Sequence, residues 1–509
     1  MLSNLKSIYL NGLDGYTVDV QVDVSAGIPE FDIVGLPDIS IKESKERVST
    51  AIKNSGYEFE SRKIIVNLAP ADIRKGGSSI DLSIAIGILI STKQITNKKD
   101  LSKIAFVGEL SLDGTINYVK GILPICIEAK KIGFNEIIIP KKNEKEASIV
   151  DGIEIKCAEN LKEVIGYIEQ NKKIDSYKVK WEDMVIENQN YDLDFSEVKG
   201  QENAKRGLEI AAAGGHNCLL IGSPGTGKTM LAKRLVTILP DLSYDESLEI
   251  TKIHSIAGIL DEKNPIITRR PFRSPHHSIS STALIGGGKN PKPGEISLAN
   301  YGVLFLDEFT EFNKHVIEVM RTPLEDGKIT ISRVNANVTY PSKFMLVASM
   351  NPCPCGYYGS EIKECKCTET MIKKYLSKVS GPLLDRIDIQ VEVPQIKYEK
   401  INENNVETSA QIRERVNNAR KIQIERYKND KIYCNDSLTP SLMKKYCKMD
   451  NESNKLLEKA FNNLKLSMRA YGRIIKVART IADLEQSEDI KSKHIAEAIQ
   501  YRVLDKNYF

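Results

Sequence analysis

The stretch GSPGTGKT at residues 222–229 decides the class of fold. The apolar run CLLIG leads into it and the helical pattern KTMLAKRLVTIL follows, so a glycine-rich segment joins a strand to a helix. In that context backbone amides converge on the phosphates of ATP, Lys228 reaches the β- and γ-phosphates, and Thr229 holds Mg²⁺. A chance glycine turn is the alternative, and the length of the motif argues against it. The predicted phosphate cradle comprises Gly222, Ser223, Pro224, Gly225, Thr226, Gly227, Lys228 and Thr229.

A second motif, VLFLDE at 303–308, is an apolar run that ends in two acids. We expect Asp307 to contribute to Mg²⁺ binding and Glu308 to polarise the water that attacks ATP. An apolar strand that ends in acids is weak evidence for a nucleotide site on its own. It is stronger evidence here because the strand follows a P-loop in the sequence. The next apolar run, FMLVASM, leads to Asn351, which is therefore predicted to orient the attacking water.

Length and charge bound the remaining possibilities. A chain of 509 residues is too long for one compact core, and three domains are expected. Lys and Arg total 72 against 68 Asp and Glu, a net charge of +4, so a nucleic-acid surface would have to be local. No apolar run approaches the roughly 18 residues that span a bilayer, and no secretory signal is visible. These features predict a soluble, cytoplasmic protein with no membrane partner.

The pattern predicts an α/β protein in three parts. Residues 1–168 mix strands and helices, and 169–195 form a polar linker that contains Trp181. Residues 196–393 carry short buried runs that are typical of a parallel sheet. Residues 394–509 read as a helical lid, in which helical stretches are predicted at 409–427, 440–464 and 473–486.

Four longer stretches carry a specific resemblance that covers essentially the whole chain: RPFRSPHHSIS, LIGGGKNPKPGEISLANYGVLFLDEFTEF, PLEDGKITISR and NPCPCG. They resemble the YifB/ComM family of magnesium-chelatase-like AAA+ ATPases. The resemblance implies a Lon-protease-like N-terminal domain of the ribosomal protein S5 domain 2-like fold, an AAA+ core and a magnesium-chelatase-type C-terminal lid. It also implies a hexameric ring that drives branch migration when incoming single-stranded DNA is integrated.

Two further site residues follow from the likeness to AAA+ proteins. GPLLDRIDI places Arg386 where such proteins present an arginine to the γ-phosphate of a neighbouring subunit, a contact worth about 10³–10⁵ in rate. A surface ion pair with Asp385 or Asp388 is the alternative. In SMRAYGR, Arg469 and Arg473 share one helix face. Arg469 is the predicted contact with nucleotide across the boundary between lid and core, and the alternative is that both arginines are solvated surface charges.

The Lon-like resemblance lacks a complete catalytic pair. RKGGSSIDLSIAIGIL resembles the stretch that bears the nucleophilic serine of Lon and places Ser78 near it. GELSLDGTINYVKGILP resembles the stretch with the catalytic lysine, but that position falls on Leu123, and Lys120 lies three residues earlier. A serine without its base is a poor nucleophile. The domain is predicted to be a non-proteolytic scaffold or substrate-handling module.

Two segments are candidates for DNA contact. One lies between the P-loop and VLFLDE, and the other follows VLFLDE. LIGGGKNPKPGEIS, with Lys289 and Lys292, resembles the helix-2 insertion of this AAA+ branch. KITISRVNANVTYPSK predicts a β-hairpin decorated by Lys328, Arg333 and Lys343. In a ring both would face the channel and contact phosphates, while simple loop solubility is the alternative.

Cysteines and histidines raise the question of a structural metal. Two C-x-C pairs could bind Zn²⁺ tetrahedrally, although the pairing is tighter than in common zinc modules and reduced, metal-free thiols are the alternative. The four cysteines are Cys353, Cys355, Cys365 and Cys367. Adjacent His276 and His277 point apart in an extended segment, so contact with the insertion or with DNA is expected rather than metal binding.

The leading hypothesis is therefore an ATP-dependent, hexameric motor on single-stranded or branched DNA. A chelatase-type assistant is one alternative, and it would need a metal-binding partner domain that this chain lacks. A protein-remodelling or regulatory ATPase is the other, and it rests on the Lon-like domain.

Overall fold

The computed structural model describes residues 2–72, 75–179, 181, 191–261, 263–288, 291–333, 336–360, 363–396, 406–430, 432–464 and 466–502. Its secondary structure forms an N-terminal unit around one mixed sheet, a central unit around a parallel sheet, and a C-terminal group of helices.

The N-terminal unit is built on a seven-stranded sheet in the order β3-β4-β2-β1-β5-β8-β9. The strands are β1 (Leu2–Asn11), β2 (Asp14–Ser25), β3 (Glu30–Val34), β4 (Lys63–Ala69), β5 (Ile104–Phe106), β6 (Glu109–Leu110), β7 (Ile116–Asn117), β8 (Glu136–Pro140) and β9 (Glu154–Ala158), and β6 and β7 form a separate ribbon. The helices are Ile39–Lys42, Ser44–Asn54, Asp81–Ser91, Ile122–Ile132, Glu144–Ala147 and Leu161–Ile168.

Apolar patterning explains how this sheet folds. In β2 every second residue from Val18 to Val24 is buried, so one face of the strand meets the core and the other stays polar. The helix Asp81–Ser91 is buried along nearly its whole length and packs on β1 and β2. This burial gives the N-terminal unit a core of its own.

The central unit holds a five-stranded parallel sheet in the order β11-β14-β17-β10-β18. Its strands and two accompanying ribbons are β10 (Cys218–Ile221), β11 (Phe272–Arg273), β12 (Gly286–Gly287), β13 (Lys292–Pro293), β14 (Val303–Leu306), β15 (Lys328–Arg333), β16 (Ala336–Pro341), β17 (Met345–Met350) and β18 (Ile389–Glu392). The helices are Glu202–Gly214, Lys228–Arg234, Tyr244–Ala257, Ser281–Ile285, Glu295–Leu298, Lys314–Glu318, Arg321–Asp326, Glu369–Leu376 and Gly381–Leu384.

Parallel pairing brings distant motifs to a common edge. Every residue of β10, β14 and β17 is buried, as expected when helices cover both faces of a sheet. All three strands run in one direction, so the P-loop, the acids after β14 and Asn351 leave the sheet at its carboxyl edge.

The predicted hairpin is confirmed as β15 paired antiparallel with β16. The insertion packs beside it: β12 pairs with β13, and the Tyr340 hydroxyl donates to the carbonyl of Pro291 at 2.9 Å. Lys289 and the hairpin tip at 334–335 lie outside the described residues. The two predicted channel elements therefore form one composite surface.

The C-terminal helices are Ser409–Arg426, Pro440–Tyr446, Asn451–Leu464, Met468–Leu484 and Ser492–Gln500. The single helical stretch predicted at 440–464 is wrong in one respect, because it breaks into two helices. Asp450 accepts a hydrogen bond from the Ser453 amide at 2.7 Å and starts the second one. Among the helices that the structure describes, none is both long and apolar enough to cross a bilayer.

The N-terminal and central units share a packed boundary. The hydroxyl of Ser255 donates to buried Glu146 at 2.5 Å, and Trp181 packs edge-on against Tyr244 at a centroid distance of 5.9 Å. Both ends of the predicted linker are also packed, since Ile174 joins the N-terminal core and Phe195 the central core. The stretch at 182–190 lies outside the described residues.

Candidate nucleotide site

The P-loop follows β10 and begins the helix Lys228–Arg234. Gly227 has φ +91°, a left-handed conformation that a β-carbon would strain. Gly222 lies so close to the Val393 carbonyl that a larger residue would clash. The side-chain amide of Gln201 donates to the carbonyls of Thr226 (3.3 Å) and Pro394. These contacts shape and support the loop.

Lys228 points into this loop. Its Nζ donates to the carbonyls of Gly222 at 2.6 Å and Ser223 at 2.9 Å, and to Asn351 Oδ1 at 3.2 Å. Burial lowers the pKa of the Lys228 amine, while the Asp307 and Glu308 carboxylates act in the opposite direction. The structure therefore brings the P-loop lysine and the predicted water-orienting amide together.

The predicted Mg²⁺ ligands also meet. The hydroxyl of Thr229 donates to Asp307 Oδ2 at 2.8 Å, and the hydroxyl of Ser349 donates to the other carboxylate oxygen. Hydroxyl and carboxylate oxygens are the ligands that Mg²⁺ prefers, so this pair fits the ion. Ser349 was not predicted. It lies on β17 two residues before Asn351, which directly follows that strand at the carboxyl edge of the sheet.

Glu308 stands beside the P-loop at the carboxyl end of β14. Its backbone has φ +52°, which is uncommon for a residue other than glycine and is typical of functional sites. Its side chain is 62% exposed, and its Oε2 lies 3.8 Å from Nδ1 of His277. This contact between the predicted base and a histidine was not anticipated from the sequence. The prediction that His276 and His277 point apart is wrong, because their ring centroids lie 4.0 Å from each other.

Arg386 lies at the opposite, amino edge of the sheet, because it precedes β18. The Arg386 guanidinium forms an ion pair with Glu325 and donates a hydrogen bond to the Pro382 carbonyl at 2.5 Å. The alternative interpretation had named Asp385 or Asp388 as its ion-pair partner. The Asn217 amide donates to the Arg386 carbonyl at 2.9 Å. The structure therefore separates Arg386 from the P-loop of its own chain.

The two lid arginines differ in environment. Arg469 is 62% exposed and lies 3.6 Å from Asp385. Arg473 is largely buried and pairs with fully buried Asp388. Burial alone would raise the pKa of Asp388, but Arg473 and His216 outweigh it and hold the pKa well below its usual value. Arg473 is thus a structural ion pair, and Arg469 remains available for contact.

Arg386 and Arg469 line the same cavity, of about 1100 Å³, between the central unit and the C-terminal helices. The cavity opens along the amino ends of the strands, and Asn217, Gly302 and Met345 contribute to its wall. No residue of the P-loop lies on that wall. The C-terminal helices therefore border the edge of the sheet that carries Arg386.

Three family models match the chain in order. The model described as subunit ChlI of Mg-chelatase matches residues 20–143, magnesium chelatase subunit ChlI matches 194–401, and its C-terminal model matches 406–502. Over 497 residues the chain is 44% identical to the YifB protein of Escherichia coli K12 and 42% identical to the competence protein ComM of Haemophilus influenzae. Each alignment covers 97% of this chain and 96% of the relative.

The chain belongs to the magnesium-chelatase-like YifB/ComM family. The magnesium-chelatase subunit ChlI of Euglena gracilis is a more distant relative, 27% identical over 184 residues that cover 31% of this chain and 52% of that protein. The predicted family and the α/β fold class are both confirmed. Membership of this AAA+ group suggests an ATPase that uses ATP and Mg²⁺.

The four cysteines of the two C-x-C pairs lie close together, with all of their sulfurs within 4.8 Å of one another; they are Cys353, Cys355, Cys365 and Cys367. The Sγ atom of Cys355 lies 3.4 Å from that of Cys353 and 3.6 Å from that of Cys365. The Sγ atoms of Cys353 and Cys365 are 3.7 Å apart. Four sulfurs held about 2.3 Å from one Zn²⁺ lie about 3.8 Å apart in a tetrahedron. The observed separations fit that geometry.

The cysteine cluster lies directly against the nucleotide loop. A β-carbon on Gly356 would stand 2.6 Å from Pro224 of the P-loop and 3.9 Å from Asn351. On its other side the cluster is followed by the helix Glu369–Leu376, where Tyr375 accepts a hydrogen bond from the hydroxyl of Thr310 at 2.6 Å. The loop that carries the thiols thus packs between the phosphate cradle and the segment after Glu308.

Among the described residues of the Lon-like stretches, Ser78 does not pair with a lysine. Ser78 donates to the Glu109 carboxylate. Leu123 is fully buried, and the side chain of Lys120 packs against Gly258 of the central unit. Nearby Lys75 is buried with its Nζ directed at the carbonyls of Leu68 and Gly35. None of these contacts gives Ser78 an amine base.

Proposed function

We propose that the chain is the subunit of a hexameric, ATP-driven DNA motor, a branch-migration helicase that acts on single-stranded or branched DNA in natural transformation and recombination. The competence protein ComM, a relative that aligns over nearly its whole length, supports the biological setting. The cytoplasm is the proposed compartment.

The observation that carries the proposal is the division of the site between two edges of one sheet. Lys228, Thr229 and Asn351 lie at the carboxyl edge, whereas Arg386 lies at the amino edge. One chain therefore cannot surround its own ATP. A neighbour that presents its amino edge would complete the site, and repetition of this head-to-tail contact around a closed axis gives the proposed six-membered ring.

Within that shared site each residue has a separate task. Lys228 neutralises the β- and γ-phosphates, and Thr229 and Asp307 hold Mg²⁺, which stabilises the charge that develops on the phosphates. Glu308 accepts a proton from the attacking water, and Asn351 orients that water beside Lys228. Arg386 of the adjacent copy stabilises the transferring phosphoryl group.

Arg469 would act from the same direction as Arg386. Both line one cavity at the amino edge, and Asp385 lies next to Arg386 in sequence and 3.6 Å from Arg469. We therefore propose that Arg469 contacts the nucleotide of a neighbouring copy, whereas the sequence predicted a contact across the boundary between lid and core.

The composite of insertion and hairpin is the proposed DNA-contacting surface. Lys292 and Lys328 are exposed, and the outward face of the hairpin carries hydroxyls, with Thr330 and Thr339 joined across the strands at 3.0 Å. Cations and hydroxyls contact phosphates without reading bases. A motor that moves along any DNA needs this kind of contact.

We further propose that Cys353, Cys355, Cys365 and Cys367 bind one structural Zn²⁺. The sulfur separations support this, and the ion would stiffen the loop that packs on Pro224.

The deciding experiment measures ATP hydrolysis by the full-length protein alone, with single-stranded DNA and with three- and four-way junctions. Glu308→Gln is the control, and it should bind ATP but hydrolyse it about 10²–10⁴-fold more slowly. Stimulation by DNA and movement of labelled junctions are expected. Hydrolysis that ignores DNA, together with immobile junctions, overturns the proposal. Stimulation by unfolded protein instead of DNA would support a protein-remodelling ATPase.

A further inference from the structure

The turn between β1 and β2 of the N-terminal unit reaches the central unit. The two strands pair over all ten residues of β1 and end with Asn11 opposite Asp14, which leaves a two-residue turn of Gly12 and Leu13. Gly12 has φ +65°, a left-handed conformation that such tight turns require and that glycine adopts without strain. The side chain of Leu13 packs against the apolar core of the central unit. The first two strands of the N-terminal unit thus end in a contact with its neighbour.

This turn lies against the hairpin of β15 and β16. A β-carbon on Gly12 would stand 2.2 Å from Cγ1 of Val338, so the backbone of the turn meets this β16 residue with no room for a side chain. Val338 is 4% exposed and faces Ile331 across the two strands. Leu13 packs against the same apolar cluster that contains Ile331 and Val338. The turn therefore supports the inner face of the hairpin.

The supported part of the hairpin is close to its tip. Ile331 and Val338 form a buried pair, whereas Ser332 and Asn337, the next pair towards the tip, are exposed. The insertion supports the same buried pair, since a β-carbon on Gly286 would stand 2.9 Å from Cδ1 of Ile331. The N-terminal unit and the insertion thus hold one cross-strand pair between the base of the hairpin and its tip.

We propose that Leu13 is a positioning residue for DNA binding: the turn of Gly12 and Leu13 holds the hairpin where its exposed cations and hydroxyls reach phosphates. A two-stranded hairpin is only marginally stable alone, so its direction depends on what packs against its inner face. Contacts to phosphates require each protein group at hydrogen-bond distance, and a hairpin that tilts loses several of them together. The inference rests on the proposed DNA motor, and it assigns a task in that motor to the N-terminal unit.

The test measures phosphate release by the full-length protein in a titration with single-stranded poly(dT). Leu13→Ala removes the apolar contact and should raise the DNA concentration for half-maximal stimulation about tenfold. Turnover without DNA and turnover at saturating DNA should both stay within about twofold of wild type, because the catalytic residues belong to the central unit. Leu13→Met fills a similar volume and should keep the half-maximal concentration within about threefold of wild type.

The matched control is Leu112→Ala. Leu112 is a leucine in another turn of the N-terminal unit, and it is 54% exposed. Its truncation removes the same atoms from the same unit without touching the hairpin, so the DNA titration should match that of wild type.

A pair of variants with compensating sizes separates positioning from a fault in folding. Gly12→Asn adds a side chain that collides with Val338, while asparagine tolerates the left-handed backbone better than most residues, so its DNA titration should shift as that of Leu13→Ala does. Val338→Ala removes both methyl groups that the new side chain meets and leaves the β-carbon of residue 338 at 3.3 Å. The double variant should therefore need less DNA for half-maximal stimulation than Gly12→Asn alone. Denaturant titration of each variant checks that it is folded.

Two results overturn the inference alone. One is a half-maximal DNA concentration within about twofold of wild type in both Leu13→Ala and Gly12→Asn. The other is a loss of turnover at saturating DNA in both variants that the double variant does not recover. A wild-type protein whose turnover does not respond to DNA overturns the proposed function, and the inference with it.

Discussion

Replacing Arg386 by Ala should abolish ATP hydrolysis in a ring built only from that variant. Mixing it with Lys228→Ala subunits should restore part of the hydrolysis. Arg386 lies at the amino edge and Lys228 at the carboxyl edge of the same sheet. An Arg386→Ala chain therefore keeps a complete phosphate cradle, and a Lys228→Ala chain keeps a complete arginine. Each variant lacks what the other supplies.

The expected magnitude follows from counting interfaces. Loss of Arg386 alone should lower kcat about 10³-fold or more. In randomly mixed rings an interface is complete only when the cradle comes from the Arg386→Ala chain and the arginine from the Lys228→Ala chain. Each condition holds for half of the subunits, so about one quarter of the interfaces, and about one quarter of wild-type kcat per subunit, should return.

The assay uses the two variants co-expressed with different tags, purified through both, and compared with each variant alone by phosphate release. Arg321→Ala is a matched control, because Arg321 pairs with Glu318 on a nearby helix at 3.2 Å. It should retain wild-type turnover. The reasoning is refuted if Arg386→Ala keeps kcat within tenfold of wild type, or if mixed rings hydrolyse no more than the two variants separately.

Three other predictions concern metal, stability and the N-terminal unit. Elemental analysis of the purified protein should find about one Zn²⁺ per chain. Cys355→Ser should lose the zinc and have lower ATPase activity, whereas Cys434→Ser should keep both the zinc and the activity. Asp388→Asn should lower the free energy of unfolding by about 3 kcal/mol because it strands a buried guanidinium, whereas Asp385→Asn should have little effect in the same denaturant titration. Since the folded-state pKa of Asp388 is depressed, its contribution is present above about pH 4 and is lost as the pH falls through the folded value. Ser78→Ala should leave DNA-stimulated ATPase unchanged, and neither protein should cleave casein.

Local motifs made half of the site predictable from the sequence. The P-loop, the acids after β14 and Asn351 each follow an apolar run, and parallel strands bring such ends to one edge. The contact of Asn351 with Lys228 follows from that rule alone. The hairpin was predictable for a similar reason, since its alternation of apolar and polar residues is local.

Contacts between segments far apart in the chain were not predictable in this way. Arg386 pairs with Glu325 of the helix Arg321–Asp326, and no pattern near Arg386 marks that partner. The pairing of His277 with Glu308 depends on β11 lying next to β14, although a two-residue strand gives almost no periodic signal. By contrast, the helix break before Asn451 had a local signal, because Asp450 is a favoured helix-capping residue.

The short strand β10 joins the two halves of the proposed machine. Asn217, immediately before it, holds the carbonyl of Arg386, and Gly222, immediately after it, opens the P-loop. Four buried residues, about 13 Å of extended chain, therefore separate what a subunit gives to its neighbour from what it uses itself. In the proposed ring of six, a subunit that lacks both Arg386 and a working P-loop would inactivate two catalytic centres. A small fraction of such subunits would therefore inhibit the normal protein in a cell that makes both.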